Sequence, residues 1–228
     1  MSSGAAPTSV DDRTAKARIR DAAIECFAEH GLAATTARKV AAAADVSPGL
    51  VIHHFGSMDG LRSACDEHVV ATIRDYKTGA MAEGPGLDIL AAFRDAPTES
   101  LMGYLAAVLH DDSPRVAKLV DDLVADAEAY LQLGVETGMV RPSSNPRARA
   151  AIVVLWSLGA LALHHHVQRI LGVDLTDPDI VANQSISAYA APAYEVLTEG
   201  IISQEFAPQV SEAFRIHSSA TKDSKEPT

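Results

Sequence analysis

The sequence predicts an all-α fold. Hydrophobic residues make up 47% of the 228 residues, enough for a packed core and against intrinsic disorder, whereas aromatic residues make up only 5%. Runs that alternate Val, Ile or Thr with polar residues, as strands do, are scarce, and alanine-rich stretches carry apolar residues at helical i, i+3, i+4 spacing. We therefore expect helices packed through small residues, in one large domain or two smaller ones.

Three helices are predicted near the N-terminus. The first covers residues 14–30, where apolar residues form one stripe at helical spacing. Thr36 is the expected N-cap of a second helix that runs to residue 44. Ser47 is the expected cap of a third helix, which has Pro48 at its first position and ends near Phe55. Two short helices joined by a tight turn predict a helix-turn-helix.

The net charge of −11 is unevenly distributed along the chain. Residues 1–65 carry seven Lys/Arg and seven Asp/Glu, and residues 66–228 carry twelve and twenty-three. Without residues 1–12, which we expect to form a disordered arm, the N-terminal helices have seven basic and five acidic residues, a net charge of +2. An acidic body limits nonspecific binding to DNA, while a small basic face is still able to meet phosphates.

A longer helical region follows the third helix. Ser57 caps a fourth helix that connects the two parts of the chain over residues 57–80, ahead of a Gly84-Pro85-Gly86 break. Further helices are predicted over residues 87–94, 98–110, 113–137, 146–171 and 178–200. The expected organisation is an arm at 1–12, a helix-turn-helix domain at 13–60, a helical ligand-binding and dimerisation domain at 61–217, and a disordered tail at 218–228.

From Thr14 to about His68 the sequence resembles the DNA-binding domain of the tetracycline-repressor (TetR) family of bacterial regulators. The resemblance is carried, in order, by residues 22–31 (AAIECFAEHG), 35–41 (TTARKVA), 46–49 (VSPG) and 54–57 (HFGS), followed by Leu61. The chain length and the helical remainder are similar to that family too. The resemblance implies a DNA-binding transcriptional regulator, by the family's habit a repressor.

Two positions depart from the family's usual pattern. Ile52 stands where the family usually has Tyr in the third helix, and Met58 stands where it often has Lys at the start of the fourth. Both positions commonly contact phosphate in the family. Because of these departures, we expect the DNA contacts to depend mainly on Thr36, Arg38, Lys39 and His53.

The third helix is expected to enter the major groove with its N-terminal residues at the base edges. Gly49 allows a close approach, Leu50 contacts a thymine methyl group, and Arg38 makes a bidentate contact to guanine or phosphate. The predicted DNA-binding residues are Thr36, Arg38, Lys39, Ser47, Pro48, Gly49, Leu50, His53 and His54. The alternative is that the cations among them are ordinary solvated charges.

One recognition helix buries too little surface for specificity in a genome, so we expect a two-fold homodimer on a pseudo-palindromic operator in double-stranded DNA. The 146–171 helix is apolar nearly all round, and apolar residues recur at helical spacing in the last helix. The predicted dimer interface comprises Ile152, Leu155, Gly159, Ala162, Leu163, Ile186, Tyr189, Ala190, Ala193 and Leu197. The alternative is a buried pair of helices within a monomer.

A small-molecule cavity is predicted between the Gly84-Pro85-Gly86 break and the dimerisation helices, because aromatic and aliphatic residues gather there with a few polar groups. The predicted ligand-binding residues are Phe93, Leu101, Met102, Tyr104, Leu105, Leu109, Tyr130 and Trp156. The resemblance implies that an inducer binds there and releases the DNA. The alternatives are that these side chains simply fill the core, or that the regulator has no small-molecule inducer.

We expect no cofactor and no metal site. Cys26 and Cys65 form no C-x-x-C pair, and consecutive residues such as His164-His165-His166 point about 100° apart on a helix. A small all-helical enzyme is the remaining functional class, but no catalytic or nucleotide-binding motif supports it. The N-terminus lacks an export signal and the apolar stretch 150–168 contains three histidines, so we expect a cytoplasmic protein without membrane association.

Overall fold

The computed structural model describes residues 9–96, 100–181 and 185–214 of the chain, and in these residues the regular structure is helical throughout. The all-α prediction is confirmed. The helices are α1 (Ser9–His30), α2 (Ala37–Ala43), α3 (Pro48–Phe55), α4 (Met58–Glu83), α5 (Ile89–Arg94), α6 (Leu101–Val108), α7 (Pro114–Glu136), α8 (Pro146–Ala162), α9 (His164–Leu171) and α10 (Ser187–Thr198). Residues 207–214 are also helical.

The N-terminal head, which we define as α1, α2, α3 and the start of α4, is built around a small apolar core. Ile19, Val40, Val51 and Leu61, one from each of the four helices, are completely buried. Asp45, in the turn between α2 and α3, has a φ of 53°, in the left-handed region that lets a tight turn reverse the chain. The predicted helix-turn-helix is present.

Three side-chain hydroxyls fix where the helices of the head begin. Thr36 Oγ1 accepts a hydrogen bond from the Lys39 amide at 3.4 Å. Ser47 Oγ accepts one from the Leu50 amide at 3.2 Å, and Ser57 Oγ accepts one from the Gly60 amide at 3.0 Å. Each cap satisfies an amide that has no partner within its helix. Helices α2, α3 and α4 therefore begin where the sequence predicts.

The body of the protein is organised around α4 and α7, which pack against each other. Helix α8 packs on α7, and α6 packs both on α8 and on α1 of the head. Tyr104 and Leu105 of α6 and Ala127 of α7 are almost fully buried between these helices. Helix α6 thus contacts both the head and the body.

Several predicted boundaries need correction. Helix α1 begins at Ser9, so residues 9–12 of the predicted disordered arm are helical. Helix α6 begins only at Leu101, after Ser100 in a left-handed conformation with a φ of 51°, instead of at residue 98. Residues 1–8 and the predicted tail at 218–228 lie outside the described part of the chain.

The predicted helix at 146–171 is wrong, because the chain breaks between α8 and α9. Leu163 leaves helical geometry with a φ of −105° and a ψ of 22°, and the two helices meet at 77°. Apolar residues continue at helical spacing from Leu163 to Val167 and Ile170, so the spacing gives no sign of this break. Over the described residues no single helix is long and apolar enough to cross a membrane; only α8 and α9 taken together reach that length and composition.

The predicted helix at 178–200 is also wrong in its first part. Residues 178–181, 185 and 186 form turns, in which the Asp177 carboxylate accepts a hydrogen bond from the Asp179 amide at 2.8 Å, and α10 starts at Ser187. Pro192 lies inside α10. A compact unit of its own begins at Ser187, within the predicted 61–217 domain, whose limits stay a prediction.

Candidate DNA interface and ligand cavity

The outward surface of the helix-turn-helix contains most of the predicted DNA-binding residues. Leu50 and His54 are half-buried, and Val51 between them is completely buried. The other seven predicted residues are exposed: Thr36, Arg38, Lys39, Ser47, Pro48, Gly49 and His53. The start of α3 and the start of α2 therefore form one solvent-facing surface that is available to a duplex.

Gly49 has no packing role inside the protein. A Cβ atom built at this position would lie 3.8 Å from Ser47 Oγ and within 4 Å of no other non-neighbouring atom that the structure describes. A bare backbone at an exposed helix start allows another molecule to approach closely. The geometry is therefore compatible with the predicted groove contact.

His54 and Ile52 differ from the other residues of this surface. The Nε2 atom of His54 is buried and its ring lies edge-on to Phe55, with 6.3 Å between ring centroids. Ile52, at the position where the family usually has Tyr, is 41% exposed. An aliphatic side chain accepts or donates no hydrogen bond, so the phosphate contact of a tyrosine has no equivalent here.

Two residues near this surface are not among the predicted DNA-binding residues. Lys16 Nζ of α1 lies 5.6 Å from the centroid of the Phe55 ring, which brings a cation to the end of α3. Thr35 is buried and its hydroxyl donates to the backbone oxygens of Cys26, at 2.9 Å, and Gly31, at 2.8 Å. The basic residues Arg13, Lys16 and Arg18 along α1 were the available signal for the first of these.

The start of α4, where the head continues into the body, is held by a close backbone contact and by hydrogen bonds from α7. A Cβ atom on Gly60 would lie 2.0 Å from the Phe55 carbonyl oxygen, so only glycine allows α4 to start this close to the end of α3. Arg115 of α7 donates to the Asp59 carbonyl oxygen and to Ser63 Oγ, both at 2.8 Å. The start of α4 is thus held from both sides.

Helix α6 extends this connection. The Tyr104 hydroxyl donates to Asp66 Oδ1 of α4 at 2.6 Å, and the Tyr104 ring meets the edge of the Phe27 ring of α1. Burial raises the pKa of Asp66, although the bond from Tyr104 opposes that shift. A Cβ atom on Gly103 would lie 3.0 Å from Ala28 Cβ, so α6 lies directly against α1.

A cavity of about 270 Å³ lies in the body between α4, α6, α7 and α8. It is lined by Ile73, Arg74, Tyr76, Lys77, Ala96, Met102, Leu105, Leu123, Asp126, Tyr130, Val153, Val154, Ser157, Leu158 and Leu161. Its walls are mostly aliphatic and aromatic, with a few polar groups, which is the usual composition of a small-molecule site. Of the predicted ligand-binding residues, Met102, Leu105 and Tyr130 line it.

Four of the other predicted ligand-binding residues do not line this cavity. Tyr104 points to α4 and α1, and Trp156 lies on the exposed side of α8. Leu101 and Leu109 are half-buried elsewhere on and after α6. The side chain of Phe93 lies outside the described part of the structure. Sequence spacing identifies the helices that surround the cavity better than the side chains that enter it.

The polar groups of the cavity are concentrated on α4 and α7. Arg74 Nη1 lies 3.9 Å from Asp126 Oδ2, and burial raises the pKa of Asp126 despite this cation. Burial also raises the pKa of Tyr130. The Tyr76 hydroxyl donates to the Ala92 carbonyl oxygen at 2.5 Å, which ties α4 to α5. A ligand would meet both charged and aromatic groups at this end.

Helix α8 has two apolar faces. Ala150, Val154, Leu158 and Leu161 are buried against the body, while on the other face Ile152 is 66%, Leu155 57% and Leu163 58% exposed. Gly159 and Ala162, also predicted for the dimer interface, are half-buried. A continuous exposed apolar face of this kind is typical of a protein contact surface.

The remaining predicted interface residues lie at the end of the chain. Ile186 ends the first compact unit and is half-buried. In the second unit, Tyr189, Ala190 and Ala193 of α10 are half-buried and Leu197 is exposed.

The histidine run lies at the start of α9. The rings of His164 and His165 lie 3.9 Å apart between centroids, and among the described residues no group of three His, Cys, Asp or Glu side chains is arranged to hold a metal ion. Burial lowers the pKa of His164, and the neighbouring His165 lowers it further.

Similarity to known proteins decides the family. Residues 19–65 match the family described as bacterial regulatory proteins, tetR family, and residues 97–203 match the one described as tetracyclin repressor-like, C-terminal domain. The HTH-type transcriptional regulatory protein RaaS of Mycobacterium tuberculosis is 37% identical over 192 residues, 84% of this chain and 88% of that protein. This chain belongs to the TetR family. It is a DNA-binding transcriptional regulator, as the sequence predicts.

Other proteins are similar over part of the chain or in fold. The HTH-type transcriptional repressor Rv3405c of M. tuberculosis is 36% identical over 110 residues, 46% of this chain and 56% of that protein. Among solved structures, Salmonella enterica GusR has a TM-score of 0.54 at 18% identity, covering 82% of this chain and 95% of that one. SmeT of Stenotrophomonas maltophilia has 0.51 at 22% identity, covering 78% and 91%. These two structures support the fold.

Proposed function

We propose that this TetR-family regulator is a cytoplasmic homodimeric repressor that binds a pseudo-palindromic operator and releases it when a small molecule enters the body cavity. The observation that best supports this proposal is the position of α6 between the cavity and the head. Met102 and Leu105 line the cavity, while Gly103 lies against α1 and Tyr104 against α1 and α4. A ligand that displaces α6 would therefore move the head directly.

The energetics of release are modest. A ligand shifts the DNA-binding equilibrium only by its differential affinity for the two conformations, and couplings of about 1–3 kcal/mol are typical. A small displacement of α6 suffices, because the packed contacts with Ala28 and Asp66 do not deform continuously. The cavity favours this ligand-responsive mechanism over a regulator with a solid core. The chain belongs to a family of transcriptional regulators, which supports a protein without catalytic activity. Repression is supported by the relative Rv3405c, which is named a transcriptional repressor.

The DNA-binding part is tested with operator fragments selected from genomic DNA by the purified protein. Arg38→Ala should weaken binding to the selected site by about 1–3 kcal/mol at fixed salt, because a bidentate contact is lost. Its exposed position predicts an unchanged unfolding curve. Fluorescence anisotropy measures the affinity, and an unchanged affinity would remove Arg38 from the interface.

The dimer is tested on the exposed face of α8. Leu155→Asp places a charge in the centre of the proposed interface, where desolvation without a partner costs several kcal/mol, so we expect a monomer in light scattering and loss of operator binding. Ala125→Asp adds the same charge at an exposed position on α7 and is the matched control. A Leu155→Asp protein that remains dimeric would place the interface elsewhere.

The effector part is tested by screening compounds for release of the selected operator. Val154→Phe fills the cavity from a buried position on α8 and should abolish release while operator binding persists. Circular dichroism checks that the variant folds. Release that survives this substitution would exclude the cavity as the effector site.

A further inference from the structure

The three charged side chains that line the cavity differ in their ion pairs. Its lining contains two cations, Arg74 and Lys77, and one carboxylate, Asp126. Arg74 is already engaged, with its Nη1 atom 3.9 Å from Asp126 Oδ2 and its Nε atom 3.2 Å from Asp75 Oδ1. Lys77 has no carboxylate within 4 Å among the residues that the structure describes. Lys77 is therefore the one charged side chain of the lining that the described residues leave without an ion pair.

Lys77 is placed to meet a ligand. The residue is partly exposed to solvent and lines the cavity, burial lowers the pKa of its ammonium group, and its Nζ atom lies 5.6 Å from the centroid of the Tyr76 ring. An ammonium at this distance from a ring is held weakly, so it retains the capacity to pair with an anion. Ile73, Leu105 and Leu158 also line the cavity and can pack against the apolar part of a ligand.

From this arrangement we infer that the effector is a compact lipophilic molecule with a single anionic group, such as a carboxylate, which pairs with Lys77. The inference rests on the proposed effector role of the cavity. A cationic ligand is disfavoured because Asp126 already has Arg74 as a partner, and the approach of a second cation would meet Lys77. A neutral ligand would cover the Lys77 ammonium without replacing its hydration.

Three probes that share a naphthyl group test the charge preference directly. They are naphthylacetate, naphthylethanol and naphthylethylamine, which are anionic, neutral and cationic at neutral pH. Titration calorimetry on the full chain measures their affinities without DNA. We expect naphthylacetate to bind about tenfold more tightly than naphthylethanol, as for a charge-assisted hydrogen bond, and naphthylethylamine to bind most weakly. Equal affinities, a preference for the amine, or no binding of naphthylacetate would overturn the inference.

A pair of lysine variants assigns the preference to one residue. Lys77→Met keeps the aliphatic length and removes the charge, so naphthylacetate should lose its advantage over naphthylethanol. Lys118→Met removes the same charge from an exposed site on α7, where Lys118 pairs with Asp122 at 2.5 Å and lies away from the cavity lining. The preference should survive in Lys118→Met, and its loss there or its persistence in Lys77→Met would refute the role of Lys77.

The failure of this inference is distinguishable from failure of the proposed function. Val154→Phe should abolish binding of all three probes if they occupy the cavity. Binding to this cavity without charge preference would overturn the ligand class and leave the effector site standing. Charge-selective binding that never releases operator DNA would support the ligand class and contradict the proposed regulation.

Discussion

The head and the body of this regulator differ in how completely their own residues fill and cover them. In the head, three hydroxyl caps, a small buried core and one close backbone contact at Gly60 hold α2, α3 and α4 in a single arrangement. In the body, a cavity of about 270 Å³ and an exposed apolar face on α8 remain without partners in the single chain. The head is therefore complete as a folded unit, whereas the body is suited to bind further molecules.

The difference shows where regulation has to act. In the proposed homodimer, the head reads DNA well only if its spacing to the partner's head is correct, and the body would set that spacing. Under the same proposal, a ligand in the cavity would shift the body to an alternative packing at small cost. The head would then move as a unit, without losing its own fold.

The largest effect that sharpens this comparison is expected from Gly60→Ala. The added Cβ atom would lie 2.0 Å from the Phe55 carbonyl oxygen, and because that oxygen belongs to the backbone, α3 and α4 must separate. Overpacking of this kind costs about 3 kcal/mol, and operator binding should be lost as well. Urea denaturation followed by circular dichroism measures the free energy of unfolding.

Gly79→Ala is the control for this substitution, since Gly79 lies on α4 too and a Cβ there contacts nothing within 4 Å among the described residues. This control should be as stable as the parent protein or slightly more stable. A Gly60→Ala variant that behaves like the control would mean that the head is not held rigidly at this corner.

The next effect is expected from Tyr104→Phe, which cuts the link between head and body. The Asp66 carboxylate loses its 2.6 Å hydrogen bond, and bonds to charged groups contribute about 1.5–3 kcal/mol, so we expect a loss of about 2 kcal/mol at neutral pH. Tyr130→Phe removes the same atom from the cavity lining and should cost less. Chemical denaturation of both variants gives the comparison.

The loss in Tyr104→Phe should depend on pH in one direction. Burial raises the pKa of Asp66 in the folded protein, so the folded state favours its protonated form. Without the hydroxyl of Tyr104 that pKa rises further, and the destabilisation is greatest above it. The loss should shrink as the pH falls through the raised pKa of Asp66, because the carboxyl group is then protonated in both the folded parent and the folded variant. A loss that grows in acid would contradict this account.

Much of the head was predictable from sequence because its helix boundaries depend on local chemistry. A hydroxyl at Thr36, Ser47 or Ser57 acts on an amide three residues away, so the signal and the structure lie in the same short segment. The buried side chains of Val40 and Val51 follow the same short-range periodicity. The fold class and the outward face of α3 follow from these local signals.

The body was less predictable because its details depend on contacts between distant segments. The break at Leu163 is hidden because apolar residues continue at helical spacing beyond it, at Val167 and Ile170. The inward turn of Tyr104 depends on Asp66 and Phe27, which are far away in the chain. Helical spacing therefore identified Met102, Leu105 and Tyr130 at the cavity but also selected Trp156, which is on the exposed side of α8. Tertiary packing decides between the faces of an apolar helix.

The smallest change in stability is expected from Gly49→Ala, which separates the folding of the head from its function. Alanine fits the helical backbone at this exposed position, and its Cβ would meet only Ser47 Oγ at 3.8 Å, so stability should rise by about 0.4–1 kcal/mol. If the start of α3 lies against base edges, the same methyl group occupies space that DNA needs. Operator affinity in anisotropy titrations should then fall about tenfold while the protein becomes more stable.

Gly79→Ala should show a similar gain in stability without the loss of affinity, because its site on α4 is outside the head's DNA-facing surface. Unchanged affinity of Gly49→Ala would mean that α3 does not approach the groove through its first turn, and the reading surface would then have to centre on Arg38 and the start of α2.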